Sequence, residues 1–560
     1  MGRRFTRIGV LAFAAALLVA GCGSGGGGGE RLAVPQRGNQ DINPRDPATL
    51  RDGGDLRIPL DNLPVNYNYN HIDGHEEQTH EVMSALMPRA FEDAPDGGVV
   101  VDPDFVTSAE LTSSAPQVVH YHINDRAVWS TGRPITWEDF AAQATAANGR
   151  NPAYLIGDRT GYQDIASVAR GATDKDVLVT FGKTFSEWQS LFYGLYPKET
   201  NSDPTAFNTG WVQSPQVTAG PFKVGTLDQT AKTLTLVRNE RWWGDRPRLD
   251  RVIFSVTDRN ALADRLANNE IDLYEIGSSV DLFRRAQTVP GVQVRQATPK
   301  EFSQITFNGS PGAILSDLKL RQAIARGINR HEIAQKLIGS IVPTVTPMGN
   351  HIYAFGSKDY RDNSDVLPFD QAAANRELDA LGWARPAAGG VRAKDGKQLS
   401  LRLVIPAGNP ISDAISKVTL NQLAQIGVRI VPEAVPVNQF FSGFVNTGNF
   451  DLATYRYVSS SAAFANSLNV YQEPKGTDLG INFGRIYDPR IGALYAQGFA
   501  ELDDAKRADL GNQADRVIWE EVHDIPLYPG TGAWAVRSTV ANFGAKGLGD
   551  WDYVHAGFTQ

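Results

Sequence analysis

The chain has 560 residues, 54 of them Lys or Arg against 62 Asp or Glu, for a net charge of -8, and it holds one cysteine. Like charges form no long run, which excludes a nucleic-acid partner and a broad anionic-lipid surface as readings of the composition. One thiol excludes a disulfide-stapled fold, so a chain this long must rest on burial and divide into two or three domains.

In chain order, Arg3, Arg4 and Arg7 form a basic head before an apolar stretch from Ile8 to Ala20 that is short for a membrane span. Leu18-Val19-Ala20-Gly21-Cys22 follows and resembles a bacterial lipobox, so residues 1–21 are expected to be a signal peptide and Cys22 a lipidation site. Arg3-Arg4 is a weak hint of twin-arginine export, and the route stays open between the general and twin-arginine pathways. Gly23 to Gly29 and the proline-punctuated residues up to 53 predict a flexible linker, with order beginning near Gly54.

Leu56 to Leu60 alternates in the strand manner, and residues 116–124 place Val119, Tyr121 and Ile123 on one face and Val118, His120 and His122 on the other. Thr136 with Asp139 predicts a capping box at the start of a helix. Between 218 and 275 the pattern predicts strands at 233–237 and 252–256, then a helix leading into a short strand. Leu320, Ile324 and Ile328 predict one helix with Ser316 as its N-cap. Leu399 to Ile405, the helix ending at Gly427 and the strand after it predict a parallel strand-helix-strand unit, hence an α/β lobe.

Catalytic patterns are absent: there is no G-x-S-x-G elbow, no Walker loop, and no base beside Ser459-Ser460-Ser461. His75 and His80 stand five apart, where two ligands on one helical face need four. His71 and His75 have the right spacing, with Asp73, Glu76, Glu77 and His80 nearby, but Gly74 interrupts a helix, and a solvated acidic turn is the preferred reading over a metal site. His120 and His122 read as a polar outer face. Tyr67, Tyr69, Tyr455 and Tyr457 sit among asparagines and serines at strand ends, where clefts of open α/β sheets form.

The segments "YHINDRAVWSTGRPITWEDF", "TAGPFKV" with "LTLVRNERWWGDRPRLDRVIF", "ANNEIDL", "FNGSPGAILSDLKLRQAIARGINRHEI", "ANRELDALGW" and "LAQIGVRI" resemble, in order, the signatures of the peptide/nickel class of ABC-importer solute-binding proteins. The resemblance implies an α/β two-lobed clamshell with an extra domain and mixed sheets flanked by helices. Lobe I is then expected from 51–75, 200–300 and 531–560, domain II from 76–199, and lobe III from 301–530. It implies no catalysis, no cofactor and no metal, a monomer, membrane attachment through lipid, and delivery of an oligopeptide or peptide-like ligand to an ABC permease. A metal chelate, haem or glycolipid ligand, or a regulatory role, is the alternative. The ligand's main chain would pair with Arg456, Tyr457, Val458 and Ser459, and Tyr67, Asn68, Asn308, Asn482 and Tyr528 complete the implied cleft. Ser460 stands where the class holds the ligand's amine with an aspartate. Losing that charge-assisted bond would weaken amine binding by roughly ten- to a hundredfold unless another acid, with Asp73 as the candidate, replaces it. Arg456 meets either a ligand carboxylate or solvent.

Overall fold

A computed structural model describes residues 39–460, 462–474 and 479–560. Cys22, the signal segment and Ser461 lie outside them. No helix among the described residues is long and apolar enough to cross a membrane.

Four sheets of three or more strands organise these residues. In the first, the edge strand Asp55–Leu60 runs parallel to Arg251–Val256, which continues antiparallel to Thr233–Arg238 and Phe222–Asp228. Leu56, Ile58 and Leu60 point inward, as the alternation predicts, and Pro59 is tolerated because an edge strand has a side with no ladder to donate to. The second joins Leu273–Glu275 and Val292–Gln296 to either side of Ala533–Arg537, so the C-terminal segment closes onto strands far upstream. The third is wholly antiparallel, Val106–Ser114, Gln117–Ile123, Asp176–Phe181 and Ile165–Arg170 in spatial order. On its outer face His120 Nε2 and His122 Nδ1 both meet Asp176 Oδ1, at 3.2 and 2.9 Å, which accounts for the two histidines. The helix Trp137–Ala147 follows, and Asp139 Oδ2 accepts the Thr136 N–H at 3.0 Å.

The fourth sheet has five strands: Arg429–Val435, Ser400–Pro406, Leu452–Val458, Glu301–Phe307 and Asp524–Pro529. Ser400–Pro406 is parallel to both neighbours, and the helix Pro410–Gln425 makes the crossover to Arg429–Val435. Gly427 ends that helix at φ +77°, and a Cβ there would lie 2.8 Å from Arg392 Cγ and 3.1 Å from the Gly390 carbonyl. Gly427→Ala is expected to lower stability by about 1–2 kcal/mol, read from the urea-unfolding midpoint, because an L side chain is strained in the left-handed region.

Two expectations are corrected. The stretch predicted as one helix capped by Ser316 is two, Leu318–Arg326 and Arg330–Ile338. Asp317 caps the first, accepting from Lys319 and Leu320, and Asn329 caps the second, so an Asx residue at the break outcompetes helical continuation. The linker also ends earlier than 53. Asp41 N–H donates to the Ala545 carbonyl at 3.0 Å, Asn43 Nδ2 to the Val540 carbonyl at 3.1 Å and Arg51 N–H to the Phe558 carbonyl at 2.9 Å. Proline and polar content there reflects an extended segment satisfied by distant backbone rather than free chain.

Candidate ligand-binding site

A cavity of about 750 Å³ lies where the first two sheets, the antiparallel sheet's loops and the end of the strand Leu452–Val458 converge. That volume falls in the range of ligand sites, about 300–1,000 Å³. One wall is the strand end itself: Arg456, Val458, Ser459 and Ser460 all line the cavity. Tyr457 does not, because successive side chains of a strand point to opposite faces, and its ring packs 5.4 Å from Phe302 instead. Ser460 Oγ accepts from Asn466 Nδ2 at the start of the helix Ala463–Tyr471. The facing wall comes from the helix Glu77–Ser84 and the turn before it, with Tyr69, His75, His80 and Glu81. Leu273–Glu275 contributes Glu275, and the C-terminal segment contributes Trp534, Lys546 and Asp550.

The wall is densely charged and paired. Arg456 Nη1 donates to both oxygens of Glu301, each at 2.7 Å. Lys546 Nζ sits 3.7 Å from Glu77 and 3.7 Å from Glu81; burial pushes its pKa down, but these carboxylates outweigh that and hold it protonated. Lys300 Nζ is bonded to Asp93, and Arg259 stands 3.7 Å from Asp61. Asp550 accepts from the Tyr193 hydroxyl at 2.6 Å and the Asp93 N–H at 3.0 Å. Burial alone would raise its pKa, yet Arg89 and the other cations hold it well below the usual carboxylate range. Burial drops His80 to about 4, so its imidazole is neutral where it stacks 5.3 Å from Tyr193. Burial, reinforced by Glu301, pushes Glu275 up to about 7.

Several residues implied by the resemblance lie elsewhere, each engaged locally. Tyr67 and Asn68 are buried beneath the cavity wall: the Tyr67 carbonyl accepts from the Tyr196 hydroxyl at 2.7 Å, and Asn68 Nδ2 donates to the Phe207 carbonyl at 3.0 Å. They brace Tyr69, which with Asn70 reaches the cavity. Asp73 is 65 % exposed, 3.8 Å from His71 Nδ1 and outside the cavity, so it cannot replace the missing aspartate. Asn308 Nδ2 ties the Gly448 and Phe450 carbonyls at 2.9 and 2.7 Å. Asn482 ties the Gln472 and Ile486 carbonyls and meets His523 Nε2 at 2.7 Å. Tyr528 is buried in the five-stranded sheet. Polar side chains at strand ends here mostly satisfy backbone that would otherwise be orphaned. Among the described residues, no group of three or more His, Cys, Asp or Glu is arranged to hold a metal ion.

Sequence reading weighed His80 only as a metal ligand and missed Glu81, Glu275, Glu301, Lys546 and Asp550. His80 and Glu81 carried a signal, since Glu77, His80 and Glu81 share one helical face at i, i+3 and i+4. The others approach only through tertiary structure.

Two lobes of mixed α/β structure around a charged cavity define a solute-binding protein. The profile of bacterial extracellular solute-binding proteins, family 5 (middle region), matches residues 100–478. The chain belongs to that family. It is 41% identical over 553 residues to the oligopeptide-binding protein OppA of Mycobacterium tuberculosis, covering 97% of this chain and 92% of that one. Among solved structures, a periplasmic EDTA-binding protein, EppA, superposes with a TM-score of 0.85 at 24% identity, covering 93% of this chain and 98% of that one. The oligopeptide-binding protein AppA of Bacillus subtilis, in complex with a nonapeptide, gives 0.72 at 19%, covering 91% and 100%.

Proposed function

We propose that this chain captures oligopeptides in the 750 Å³ cavity outside the cytoplasm and delivers them to an ABC permease. The observation that carries this reading is the placement of Arg456, Val458, Ser459 and Ser460 along the wall of that cavity, in a chain 41% identical to an oligopeptide-binding protein. A strand end facing a cavity offers main-chain groups to an extended guest, so affinity comes from backbone pairing and side chains are tolerated. The protein performs no catalysis in this reading, acts as a monomer, and is tethered through lipid on Cys22.

Lobe I is 51–75, 200–300 and 531–560, domain II is 76–199 and lobe III is 301–530. The sheets support this division: the first two draw on the lobe I segments, the antiparallel sheet on domain II and the five-stranded sheet on lobe III.

A peptide at a hundred times its dissociation constant is expected to stabilise the protein by about 2.7 kcal/mol, seen as a raised unfolding temperature. Absence of any shift across a mixed peptide library, with no peptide co-purifying by mass spectrometry, would falsify the reading. An anionic metal chelate is the second reading, favoured by the superposition on an EDTA-binding protein. A shift with Fe(III)-EDTA and none with peptides would select it.

A further inference from the structure

The four Lys and Arg side chains lining the cavity are each met by a carboxylate of the same lining: Arg456 by Glu301, Lys300 by Asp93, Lys546 by Glu77 and Glu81, and Arg259 by Asp61. Nine carboxylates line the cavity, so acids remain once these cations are matched. Glu275 is the one that matters most. It is only partly accessible and sits on the strand beside Trp534, and its carboxylate has no hydrogen bond or ion pair among the described residues. A ligand anion entering this cavity finds cations already satisfied and would have to break an existing pair. A ligand cation finds a carboxylate waiting.

Resting on the peptide-capture reading, we propose that the cavity selects ligands bearing a positive charge, and that Glu275 is the residue that reads it by accepting hydrogen bonds from a ligand ammonium. The ammonium comes from a peptide's amino terminus or from a lysine side chain. With Ser460 and the remote Asp73 unable to supply a carboxylate, Glu275 supplies it from the opposite wall.

The groups facing Glu275 are Glu301 and Arg456 from the five-stranded sheet, Arg259 from the turn before the helix Leu262–Ala267, and Glu77 from the helix Glu77–Ser84. Two acids and two cations leave it poised near neutrality, raised to about 7 chiefly by burial. A bound cation favours its ionised form, so binding expels a proton, and affinity for a cationic ligand rises with pH through that region.

The test is calorimetry on the full chain with tetra-alanine, its N-acetyl form, Ala-Lys-Ala-Ala, its norleucine analogue and spermidine. The ammonium-bearing member of one pair, free against acetylated tetra-alanine or the lysine peptide against its norleucine analogue, is expected to bind about tenfold or more tightly, and Glu275→Gln is expected to shrink that gap to about threefold or less. Loss of affinity on acetylation assigns the ammonium to the terminus, and loss in the norleucine analogue assigns it to the side chain. Affinity that falls neither on acetylation nor in the norleucine analogue, or a fall as large in E275Q as in the wild type, overturns the assignment while tetra-alanine binding leaves peptide capture standing. Spermidine binding without any peptide binding supports the charge selection and sinks peptide capture; binding by none of the probes sinks both. Should E275Q fail to fold, the wild type still decides. Near pH 7 the lysine peptide must release protons, measured in two buffers of different ionisation heat, and zero release overturns the role of Glu275.

Discussion

Asp515→Ala is expected to cost about 3–5 kcal/mol of stability, because it strips one partner from a buried ion pair. Asp515 and His351 are both 0 % exposed. Asp515 Oδ1 accepts from His351 Nδ1 at 2.6 Å and from the His351 backbone N–H at 2.7 Å, while Oδ2 accepts from Asn363 Nδ2 at 2.7 Å. On its other side His351 Nε2 lies 3.6 Å from Asp524 Oδ1. Removing the carboxylate orphans the two His351 donors, leaves Asn363 Nδ2 with Asn512 Oδ1 alone, and opens a void at the helix Asp504–Glu521. Asp515→Asn keeps the volume and should recover part of the loss. Urea unfolding of both variants checks this, and a D515A midpoint within error of wild type would refute the pairing.

The sign of the pH dependence follows. Burial alone would lower the His351 pKa, but Asp524 and Asp515 outweigh it and the imidazole stays raised above its ordinary value. A group whose folded pKa is raised contributes stability that is full below its unfolded value, near about 6.5, and is lost as pH rises through the folded one. The advantage of wild type over D515N should therefore shrink between neutral and alkaline pH.

Glu187→Ala is expected to weaken ligand affinity by roughly ten- to a hundredfold while leaving the cavity wall intact. Glu187 stands in the segment leading to the cavity-lining residues Ser190 and Leu191, yet its carboxylate accepts from the backbone N–H groups of Ala465 at 2.7 Å and Phe464 at 3.3 Å. Those N–H groups lie in the first turn of the helix Ala463–Tyr471, before which Ser459 and Ser460 form the opposite wall. An anion at a helix start is favoured by the free N–H groups there. The contact is reinforced next door, where Arg507 Nη1 donates to the Ser186 carbonyl at 3.3 Å and Phe185 stacks on Phe499 at 6.2 Å. Glu187 thus fastens the two walls together, and its loss lowers the population of the binding-competent form, which reduces apparent affinity by that fraction. Small-angle scattering should show a larger radius of gyration for E187A than for wild type without ligand. Unchanged dimensions together with unchanged affinity would rule this out.

The elements that depend on local chemistry could be read from the residues. Leu56 to Leu60, the alternation around Tyr121 and the unit from Leu399 to Val435 carry their burial pattern in their own side chains, so strand, strand and parallel crossover follow. The charged cavity could not be read in this way. Arg456 meets Glu301 because two strands pair antiparallel, and Lys546 meets Glu81 because the C-terminal segment folds back over a helix more than four hundred residues upstream. The family resemblance implied Tyr457, Asn308 and Asn482 as cleft residues, yet only the pleat and the neighbouring backbone decide that they face inward to the core.

The sequence by itself determined the α/β class, the strand-helix-strand order and the family likeness, since periodicity and motif order are properties of neighbouring residues. Only the tertiary structure decided which charges are spent on one another around the cavity, because Coulomb pairing depends on distances through space that chain separation does not report.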